Sequence, residues 1–570
     1  MKSFLRSFFA SLLAIMVVIL LVIAGVGAKS AKKPVIKNNS YLVMDIYGEI
    51  LPYYAPDGVM AEVLGGETET VHRILGNLEK AAADKRIDGV IMKISGNNSL
   101  GGGSIEEIRA AIKKLRESGK PVFAFADNLD RKSIFLASAC DSIFMPPSGE
   151  VLFTGFGSST QFIKNTLDKL GIKPNLHQIR EYKSAAEMMT RTESSPEARE
   201  MRNWMADEMW DMQMKAISAD RKLSEEKILE LMGHALFTAD EAKQTGLIDG
   251  LLYWDQLDAR LKGDKDKELR TVSQSAYAKI DRAKLGLKGK NKIAVVHAHG
   301  MIGGRKSHVD PVLGMMMGHE TVAAELKRAR MDKDVSAVVF RIDSHGGEGL
   351  ASDLIGQEVA ATAAVKPVVV SMIDVAASGG YMIAYRATKI VADSMTVTGS
   401  IGSIAMKFNM SGLYDKLGIT FDDFEKGPNG LLWSDHRDFN DEERARFEEN
   451  HWNGFNIWLR DVSKRRGIPI DELEKLAMGR VWTGRQAKQN HLIDEVGGLD
   501  TAIALAKELA KIPTDQQVTL VDYPKKKGLF ETITSGDAGP AMVHWMVYRF
   551  VRTDLAESLR LLASREALIE

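Results

Sequence analysis

The first hydrophobic feature of the sequence is an uncharged apolar run at residues 8–28. About 20 apolar residues span the hydrocarbon core of a bilayer, whereas the apolar part of a cleaved signal peptide usually has about 7–15. The length therefore predicts one uncleaved transmembrane helix within residues 1–30. Small residues end the run and also fit a cleavage site, so a cleaved signal peptide remains the alternative. Basic residues lie on both sides of the run, and charge alone does not fix its orientation.

Beyond residue 30, short β-branched runs alternate with stretches of helical periodicity. The runs VSAVVFRI at 335–342 and VVVSM at 368–372 are typical of strands buried on both faces of a sheet. One helical pattern precedes them at 321–331, and another separates them at 350–364. This alternation predicts an α/β fold in which helices cover a parallel sheet. In such folds, function is expected at the carboxyl ends of the strands.

After residue 30, the sequence contains an internal repeat. DKRIDGVIMKI at 84–94 returns as DKDVSAVVFRI at 332–342, and KPVFAF at 120–125 returns as KPVVVS at 366–371. Further segments recur in the same order at nearly constant spacing, which indicates duplication. The predicted organisation is a membrane anchor at 1–30, an N-terminal repeat at 31–285, a C-terminal repeat at 286–515 and a helical tail at 516–570.

The amino-acid composition argues against several classes of function. Of the 570 residues, 45% are hydrophobic and 26% charged, which is ordinary for a globular protein. Lys plus Arg number 75 and Asp plus Glu 76, so no basic excess points to nucleic acid as a partner. The single Cys140 excludes an intrachain disulfide and a cysteine-based metal cage. No metal-ligand spacing stands out, and we expect neither a metal nor a cofactor.

Ser378 is the residue that the pattern singles out for chemistry. It follows a predicted strand, precedes Gly379 and opens a helical stretch. The unpaired N–H groups of a helix start, together with the glycine turn at Gly346 and Gly347, could stabilise a developing oxyanion. A serine in front of a helix is more often an N-cap, so the residues alone leave both roles open.

A nucleophilic serine also needs a base. His345 lies in the glycine turn, but no orienting acid stands at a recognisable position. The other type of base is a lysine that burial keeps neutral. Its pKa would have to fall by about 3 units from about 10.4 to work near pH 7–8.

Three segments carry a family resemblance: AASGGYMIA at 376–384, TGSIG at 398–402 and EYKSAAE at 181–187. They resemble the signature segments of the signal peptide peptidase A family in its long, tandem-repeat, membrane-anchored bacterial form. The resemblance covers nearly the whole chain. It implies two tandem β/α repeats of the crotonase and caseinolytic protease fold group, after one N-terminal transmembrane helix.

The resemblance also implies a reaction and its residues. The protein would be a serine endopeptidase that degrades cleaved signal peptides and other apolar peptides without a cofactor. The roles it implies are Ser378 as nucleophile, Lys183 as general base, Ser400 as the residue that orients the lysine, and an oxyanion hole from Gly346, Gly347 and Gly379. The family usually has S-P-G-G in the glycine turn, whereas this chain has His345 before the glycines and Glu348 after them. Losing the proline should loosen the turn, and a carboxylate at Glu348 is unfavourable for an oxyanion unless it points away.

Each repeat contains one of the two implied catalytic residues and lacks the other. At constant shift, Arg131 stands opposite Ser378, and KGPNG at 426–430 stands opposite Lys183. We therefore expect one composite site between the repeats. By resemblance we further expect a homo-oligomer, a tetramer, anchored in the bacterial inner membrane with its body in the periplasm. The alternatives are a catalytically silent membrane scaffold of the same fold and an acyl-CoA hydratase-like enzyme.

Overall fold

The computed structural model describes residues 35–54, 69–262, 268–310 and 313–525. The predicted membrane anchor at 1–30 lies outside these ranges, as does most of the predicted tail, at 526–570. Among the helices that the described ranges contain, none combines the length and the hydropathy that a membrane span requires.

The N-terminal half is built on a six-stranded parallel sheet. Its central strands are buried on both faces, with Leu42, Ile91 and Met92 fully inaccessible, because helices pack on either side. Neighbouring strands are parallel throughout. In spatial order the strands are Gly250–Leu251, Ser142–Met145, Val122–Phe125, Ile87–Asn98, Ser40–Gly48 and Thr271–Ser273. A smaller sheet beside it holds Asn128–Asp130, Glu150–Phe153 and Ala235–Thr238.

The C-terminal half repeats this order through Glu495–Val496 and Lys389–Ala392, and the counterparts of the smaller sheet, Val397–Gly399 and Val481–Thr483, join the same sheet, which confirms the predicted duplication and the α/β class. Its main path is parallel except at one edge, where Val481–Thr483 runs antiparallel to Val397–Gly399. In spatial order the strands are Val481–Thr483, Val397–Gly399, Val368–Ala377, Val335–Ser344, Lys292–His299 and Thr519–Tyr523, with Lys389–Ala392 and Glu495–Val496 branching from Val368–Ala377. The strands predicted at 335–342 and 368–372 are both present and extend further at their carboxyl ends.

The last strand corrects a predicted boundary. Thr519–Tyr523 pairs in parallel with Lys292–His299, as Thr271–Ser273 pairs with Ser40–Gly48 in the first repeat. The sheet of the second repeat therefore extends past residue 515. The segment predicted as a helical tail from 516 begins with a strand, because its apolar side chains complete this sheet edge.

Helices cover the sheets in both halves. The two helices predicted at 321–331 and 350–364 are His319–Met331 and Gly349–Ala363. Each repeat also has one 26-residue helix, which a capping side chain starts: Ser195 in the first and Asn440 in the second. The helices of the first repeat are Val71–Ala83, Gly102–Glu117, Arg131–Ala137, Lys164–Leu170, Glu187–Thr190, Pro196–Arg221, Glu225–His234, Ala239–Gln244, Trp254–Leu261 and Gln274–Ala278. Those of the second are His319–Met331, Gly349–Ala363, Gly379–Met382, Ser411–Leu417, Asp441–Arg466, Ile470–Ala477, Gly484–Gln489 and Leu499–Leu509.

Several contacts join the repeats, among them a strand pairing and a buried ion pair. Lys173–Ile179 of the first pairs antiparallel with Ser403–Asn409 of the second along seven residues. Glu107 of the first repeat forms a buried, two-pronged ion pair with Arg341 of the second, at 2.6 and 2.7 Å. These contacts bring the segment that follows residue 179 against the carboxyl ends of the second sheet.

Candidate active site

Ser378 occupies a strained position at the end of the strand Val368–Ala377. Its φ is 56° and its ψ is −119°, a conformation that residues other than glycine rarely adopt. Its N–H donates to the carbonyl of Gly399 at 2.9 Å. Its side chain forms no capping hydrogen bond to the helix Gly379–Met382 that it precedes. The N-cap alternative therefore does not describe this serine, whose hydroxyl is left for other partners.

The glycine turn packs directly against the start of that helix. The φ values of Gly346 and Gly347 are 100° and 150°, both in the region that favours glycine. A Cβ on Gly346 would lie 2.6 Å from the nitrogen of Gly379, and one on Gly347 would overlap the Ile302 carbonyl. Only glycine fits at these two positions, because the backbone of Ile302 and the helix start approach so closely.

The three glycines predicted to form an oxyanion hole differ in their hydrogen bonds. The N–H of Gly346 donates to Ser344 Oγ at 3.1 Å and so helps to hold the turn. Within the described part of the chain, the N–H groups of Gly347 and Gly379 have no acceptor. A Cβ on Gly379 would lie 3.0 Å from the Gly347 nitrogen, so the two groups are close neighbours. The geometry thus offers Gly347 and Gly379 as donors to a developing oxyanion.

The turn is held firmly without the proline usual in the family. Ile302 donates to the Gly346 carbonyl at 2.8 Å and accepts from the Glu348 N–H at 2.8 Å. Ser344 Oγ adds a bond to the Gly300 carbonyl at 2.6 Å. The Glu348 carboxylate accepts from the Gly304 N–H at 3.3 Å, which engages it with the neighbouring segment.

Lys183 is buried, and its ammonium nitrogen contacts Ser400 twice. The side chain Nζ lies 2.8 Å from Ser400 Oγ and 2.9 Å from the Ser400 carbonyl oxygen. Only 7% of the residue is exposed. Burial disfavours the charged form and lowers the pKa of Lys183 to about 7, the range that a lysine base requires.

Two consecutive residues, Gly399 and Ser400, contact the serine and the lysine respectively. The φ of Ser400 is 51°, again in the left-handed region, and it directly follows Gly399, whose carbonyl accepts from Ser378. Ser378 and Lys183 are therefore bonded to consecutive residues of one segment. Chemically, the arrangement supplies a free hydroxyl, a buried amine that titrates near neutrality, and two unpaired N–H groups.

Sequence reasoning missed the segment that supports Lys183 and Ser400. A Cβ on Gly479 would lie 2.5 Å from the backbone nitrogen of Lys183, so this glycine is needed for the close approach. The next carbonyl, of Arg480, accepts from the Ser400 N–H at 2.6 Å. The guanidinium of Arg480 also lies 3.9 Å from the centre of the Tyr182 ring. The Gly479–Arg480 pair is the feature of the sequence that marks this segment. Nothing local in the sequence connects the pair to Lys183, almost 300 residues earlier.

His345 does not replace Lys183 as a base in this structure. It lies in the glycine turn and is exposed. No acidic side chain of the described ranges bonds to its ring. A serine–histidine–acid triad is therefore not assembled around it.

The described part of the first repeat holds no copy of this site. The strand registers keep the predicted alignment: Asp130 pairs with Leu152 as Ala377 pairs with Gly399, so Arg131 stands at the position of Ser378. The equivalent helix, Arg131–Ala137, begins at Arg131 itself and is capped by Asp130. Arg131 lies over the Phe156 ring at 3.8 Å. In the second repeat, 426–430 is exposed and offers no counterpart to the buried Lys183.

Comparison with known proteins places the chain among the serine proteases. A family model described as "Peptidase family S49" matches residues 114–268 and 360–513, one match in each repeat. The chain belongs to peptidase family S49 and is a serine protease with two copies of the family domain.

Relatives match across most of the chain. The chloroplastic serine protease SPPA of Arabidopsis thaliana is 34% identical over 88% of this chain and 74% of its own length. Protease 4 of Salmonella typhi is 30% identical over 83% of this chain and 78% of its own length. A protein of Enterococcus faecium named as a signal peptide peptidase SppA is 32% identical over 36% of this chain and 59% of its own length. Among solved structures, a membrane protease specific for a stomatin homolog from Pyrococcus horikoshii is 14% identical over 44% of this chain and 98% of that chain, with a TM-score of 0.25, too weak a likeness to bear on the fold.

Proposed function

We propose that this serine protease uses Ser378 as its nucleophile and Lys183 as its general base, and that it degrades signal peptides and other apolar peptides beside a membrane. The observation that carries the proposal is the burial of Lys183 against Ser400, with a pKa of about 7. A lysine in this state is neutral in a large fraction of molecules at physiological pH, and it can accept a proton.

The reaction would proceed in two halves. Neutral Lys183 takes the hydroxyl proton as Ser378 Oγ bonds to the carbonyl carbon of the peptide, and the N–H groups of Gly347 and Gly379 stabilise the resulting oxyanion. When the carbon–nitrogen bond breaks, the lysine ammonium protonates the leaving amine, and an acyl-enzyme remains. Water then attacks the ester with Lys183 as base, and the carboxylic acid product leaves. Ser400 acts as a positioning residue, because its two oxygen atoms hold the lysine nitrogen.

Exposed apolar residues beside the site support an apolar peptide substrate. Leu350 and Leu354 lie one helical turn apart on the helix that begins at the glycine turn, and both are exposed. Met301, next to the residue that holds the turn, is exposed as well. The name of the Enterococcus faecium relative points to signal peptides as the natural class.

Membrane anchoring and location are part of the proposal. The apolar run at 8–28 has the length of one membrane span, and no second run of this length follows. We place the chain as a single-pass protein of the bacterial inner membrane with its body on the periplasmic side.

Unpaired segments in each repeat support assembly into a homo-oligomer. The duplication matches the paired strands Lys173–Ile179 and Ser403–Asn409 with 420–426 and 156–162, and in the described chain these two segments form no strand. Phe421 and Phe424 in 420–426 are 47% and 84% exposed. Pairing of 420–426 with 156–162 of another copy would repeat the contact between the repeats and close a ring, which we propose is a tetramer.

Oligomerisation is tested with the full chain in detergent by light scattering coupled to gel filtration. Four copies per particle are expected for the wild type, and Phe424→Asp should reduce the number by placing a charge in the seam. Ile457→Asp, at an exposed position on the long helix, is the control. A wild-type monomer, or a mutant of unchanged size, contradicts the proposed seam.

Peptide cleavage tests the function against its two alternatives. The purified full chain should cleave a synthetic signal peptide, and Lys183→Ala should lose this activity while keeping its oligomeric state. Lys132→Ala, a half-buried lysine in the first repeat, is the matched control. A silent scaffold would form the same particle without cleavage, and a hydratase-like enzyme would instead add water to an unsaturated acyl-CoA. Either result, or full activity in Lys183→Ala, contradicts the proposal.

A further inference from the structure

Two histidines and an aspartate meet at the junction of the repeats, outside the candidate active site. His72 lies in the first turn of the helix Val71–Ala83, in the first repeat. His297 lies on the strand Lys292–His299 and Asp522 on the strand Thr519–Tyr523, both in the second repeat. The three residues are far apart in sequence, and all three lie on regular elements of the fold. Their meeting is therefore a product of the tertiary structure.

The donor atoms are spaced as ligands of one metal ion. His297 Nε2 lies 2.9 Å from Asp522 Oδ1, and His72 Nε2 lies 3.3 Å from Asp522 Oδ2. One ligand atom of each residue lies within 4.8 Å of those of the other two. Two donors bonded to a tetrahedral Zn²⁺ at about 2.0–2.2 Å are roughly 3.3 Å apart. Small side-chain adjustments therefore suffice to place the three donors around a single ion.

Aromatic packing fixes the histidine rings. Tyr53 stacks on the His297 ring, with centres 3.6 Å apart and planes inclined by 5°. Its hydroxyl donates to the Pro524 carbonyl at 3.1 Å, so the tyrosine is itself held in place. The His72 ring stands edge-on to that of His297, with centres 5.0 Å apart. Ligands that are oriented in advance bind a metal more tightly, because less side-chain freedom is lost.

A cavity gives the cluster access to solvent. It has a volume of about 480 Å³, and His72 and Asp522 contribute to its wall. His297 is more deeply buried, with 3% of its side chain exposed. Three protein ligands with an open side are the arrangement of metal sites that keep one coordination position for water or another small ligand.

Three of the four lysines and arginines that line the cavity are paired within the protein, and the fourth, Lys525, is exposed to solvent. Arg73 pairs with Glu69 at 2.6 Å, and Arg282 pairs with Glu79 at 2.6 Å. The Lys80 ammonium donates to the carbonyls of Tyr277 and Ala278 at 2.9 and 3.1 Å.

We propose that His72, His297 and Asp522 bind one Zn²⁺ ion, or a divalent transition metal of the same class, between the two repeats. Two imidazoles and one carboxylate suit Zn²⁺, Co²⁺ or Ni²⁺, whereas Mg²⁺ and Ca²⁺ take oxygen ligands. The ion joins the first repeat to the edge strand of the second sheet and to the strand beside it. Its binding therefore stabilises the contact between the repeats that supply Lys183 and Ser378.

Metal binding is measured on the tag-free full chain in detergent, after treatment with a chelator and its removal. Titration calorimetry with Zn²⁺ alone, together with metal analysis after dialysis, should give one Zn²⁺ per chain. Asp522→Asn and His72→Gln should each weaken binding at least about tenfold. His308→Ala, which removes an exposed histidine, is the matched control and should bind as the wild type does.

A second readout separates a lost ligand from a damaged fold. Zn²⁺ should raise the unfolding temperature of the wild type and of His308→Ala, and should have little effect on Asp522→Asn. Asparagine keeps the shape of the side chain and a hydrogen-bonding oxygen towards His297, so this variant should fold. Absence of stoichiometric Zn²⁺ binding by the wild type, or unchanged affinity in both ligand variants, overturns the proposal.

Discussion

Two helix starts, one in each repeat, occupy the same place in the duplicated fold and differ in what they do. Asp130 has an extended φ of −99°, and its side chain accepts from the N–H of Ser133 at 2.7 Å, so it caps its helix. Ser378 has a φ of 56° and forms no such bond to the helix after it. In the first repeat, the residue before the helix stabilises the helix by capping it. In the second repeat, Ser378 forms no cap and has a strained backbone, which leaves its hydroxyl without a capping bond.

The glycine-containing segments beside these two helix starts also differ, in whether their N–H groups have an acceptor within the protein. In the first repeat, the helix that starts at Gly102 is covered by Asp374 of the second repeat, whose carboxylate accepts from the Ser104 N–H at 2.8 Å and from its hydroxyl at 2.5 Å. In the second repeat, the N–H groups of Gly347 and Gly379 have no acceptor within the described ranges. A carboxylate of the protein thus covers the helix start in the first repeat, whereas the Gly347 and Gly379 N–H groups of the second are available to a substrate oxyanion.

The largest expected effect comes from substituting alanine for each of the two helix-start residues in separate variants. Ser378→Ala should lower kcat/KM for peptide cleavage by at least about 10³-fold, because the nucleophile is lost. Asp130→Ala should leave kcat/KM unchanged, since this residue only caps a helix. Both are measured with a fluorogenic apolar peptide. Loss of cleavage in Asp130→Ala at full folding would show that the two starts do not differ as described.

Removal of the Ser400 hydroxyl should have an intermediate effect. Ser400→Ala takes away one of the two oxygens that hold Lys183 and should lower kcat about tenfold to a hundredfold, since small misplacements of a catalytic group are costly. The hydroxyl favours the charged amine, so its loss should also move the pH–rate midpoint to lower pH. Ser403→Ala, whose hydroxyl contacts His451, is the control. An unchanged rate and midpoint would remove Ser400 from the site.

The contact between repeats should respond to pH through Glu106. Burial raises the pKa of this carboxyl to about 7, although it accepts from the Met395 N–H at 2.7 Å. The unfolded value is about 4.3, so ionisation costs folding free energy increasingly as pH rises from about 4 to 7, and the full cost persists above that. Glu106→Gln should therefore raise the free energy of unfolding by about 3–4 kcal/mol at pH 8 and change it little below pH 5.

The adjacent carboxylate provides the control for Glu106. Glu107→Gln breaks the buried pair with Arg341 and should destabilise the protein by about 3–5 kcal/mol at pH 8. Denaturant unfolding at the two pH values measures both variants. Equal effects of the two substitutions, or no gain from Glu106→Gln at pH 8, would contradict this assignment of the charges.

The smallest expected effect concerns the cap itself. Asp130→Ala should lower the free energy of unfolding by about 1 kcal/mol, the usual cost of losing an N-cap. Ser378→Ala should cost no cap energy, because Ser378 forms no capping bond and alanine meets the same strain at positive φ. Denaturant unfolding of the two variants side by side measures this difference. Equal destabilisation would show that Ser378 caps its helix after all.

The sequence predicts those features that local pattern or duplication encodes. The runs at 335–342 and 368–372 appear as strands because both faces of the sheet are buried, and the recurring segments reveal two repeats. The end of the second repeat was misplaced, because Thr519–Tyr523 becomes a strand only by pairing with a distant partner. The strain at Ser378 and the support from Gly479 likewise depend on long-range contacts.

The His72, His297 and Asp522 cluster shows the same limit most clearly. No ligand spacing along the chain predicts a metal, since ligand motifs identify only sites whose residues are close in sequence. Here three separate segments supply one ligand each. Only the paired strands and the helix packed beside them bring the donors together.

The most direct test of the central claim is the rate at which a serine-directed acylating probe modifies Ser378 as a function of pH. The modified residue is identified by mass spectrometry, in the wild type and in Lys183→Ala. Since burial holds the pKa of Lys183 at about 7, the rate should rise tenfold per pH unit below 7 and level off above it. Lys183→Ala should lose this pH dependence and nearly all of the rate. Unchanged labelling of Ser378 in Lys183→Ala, or labelling of a different residue, would contradict the claim that this lysine activates this serine.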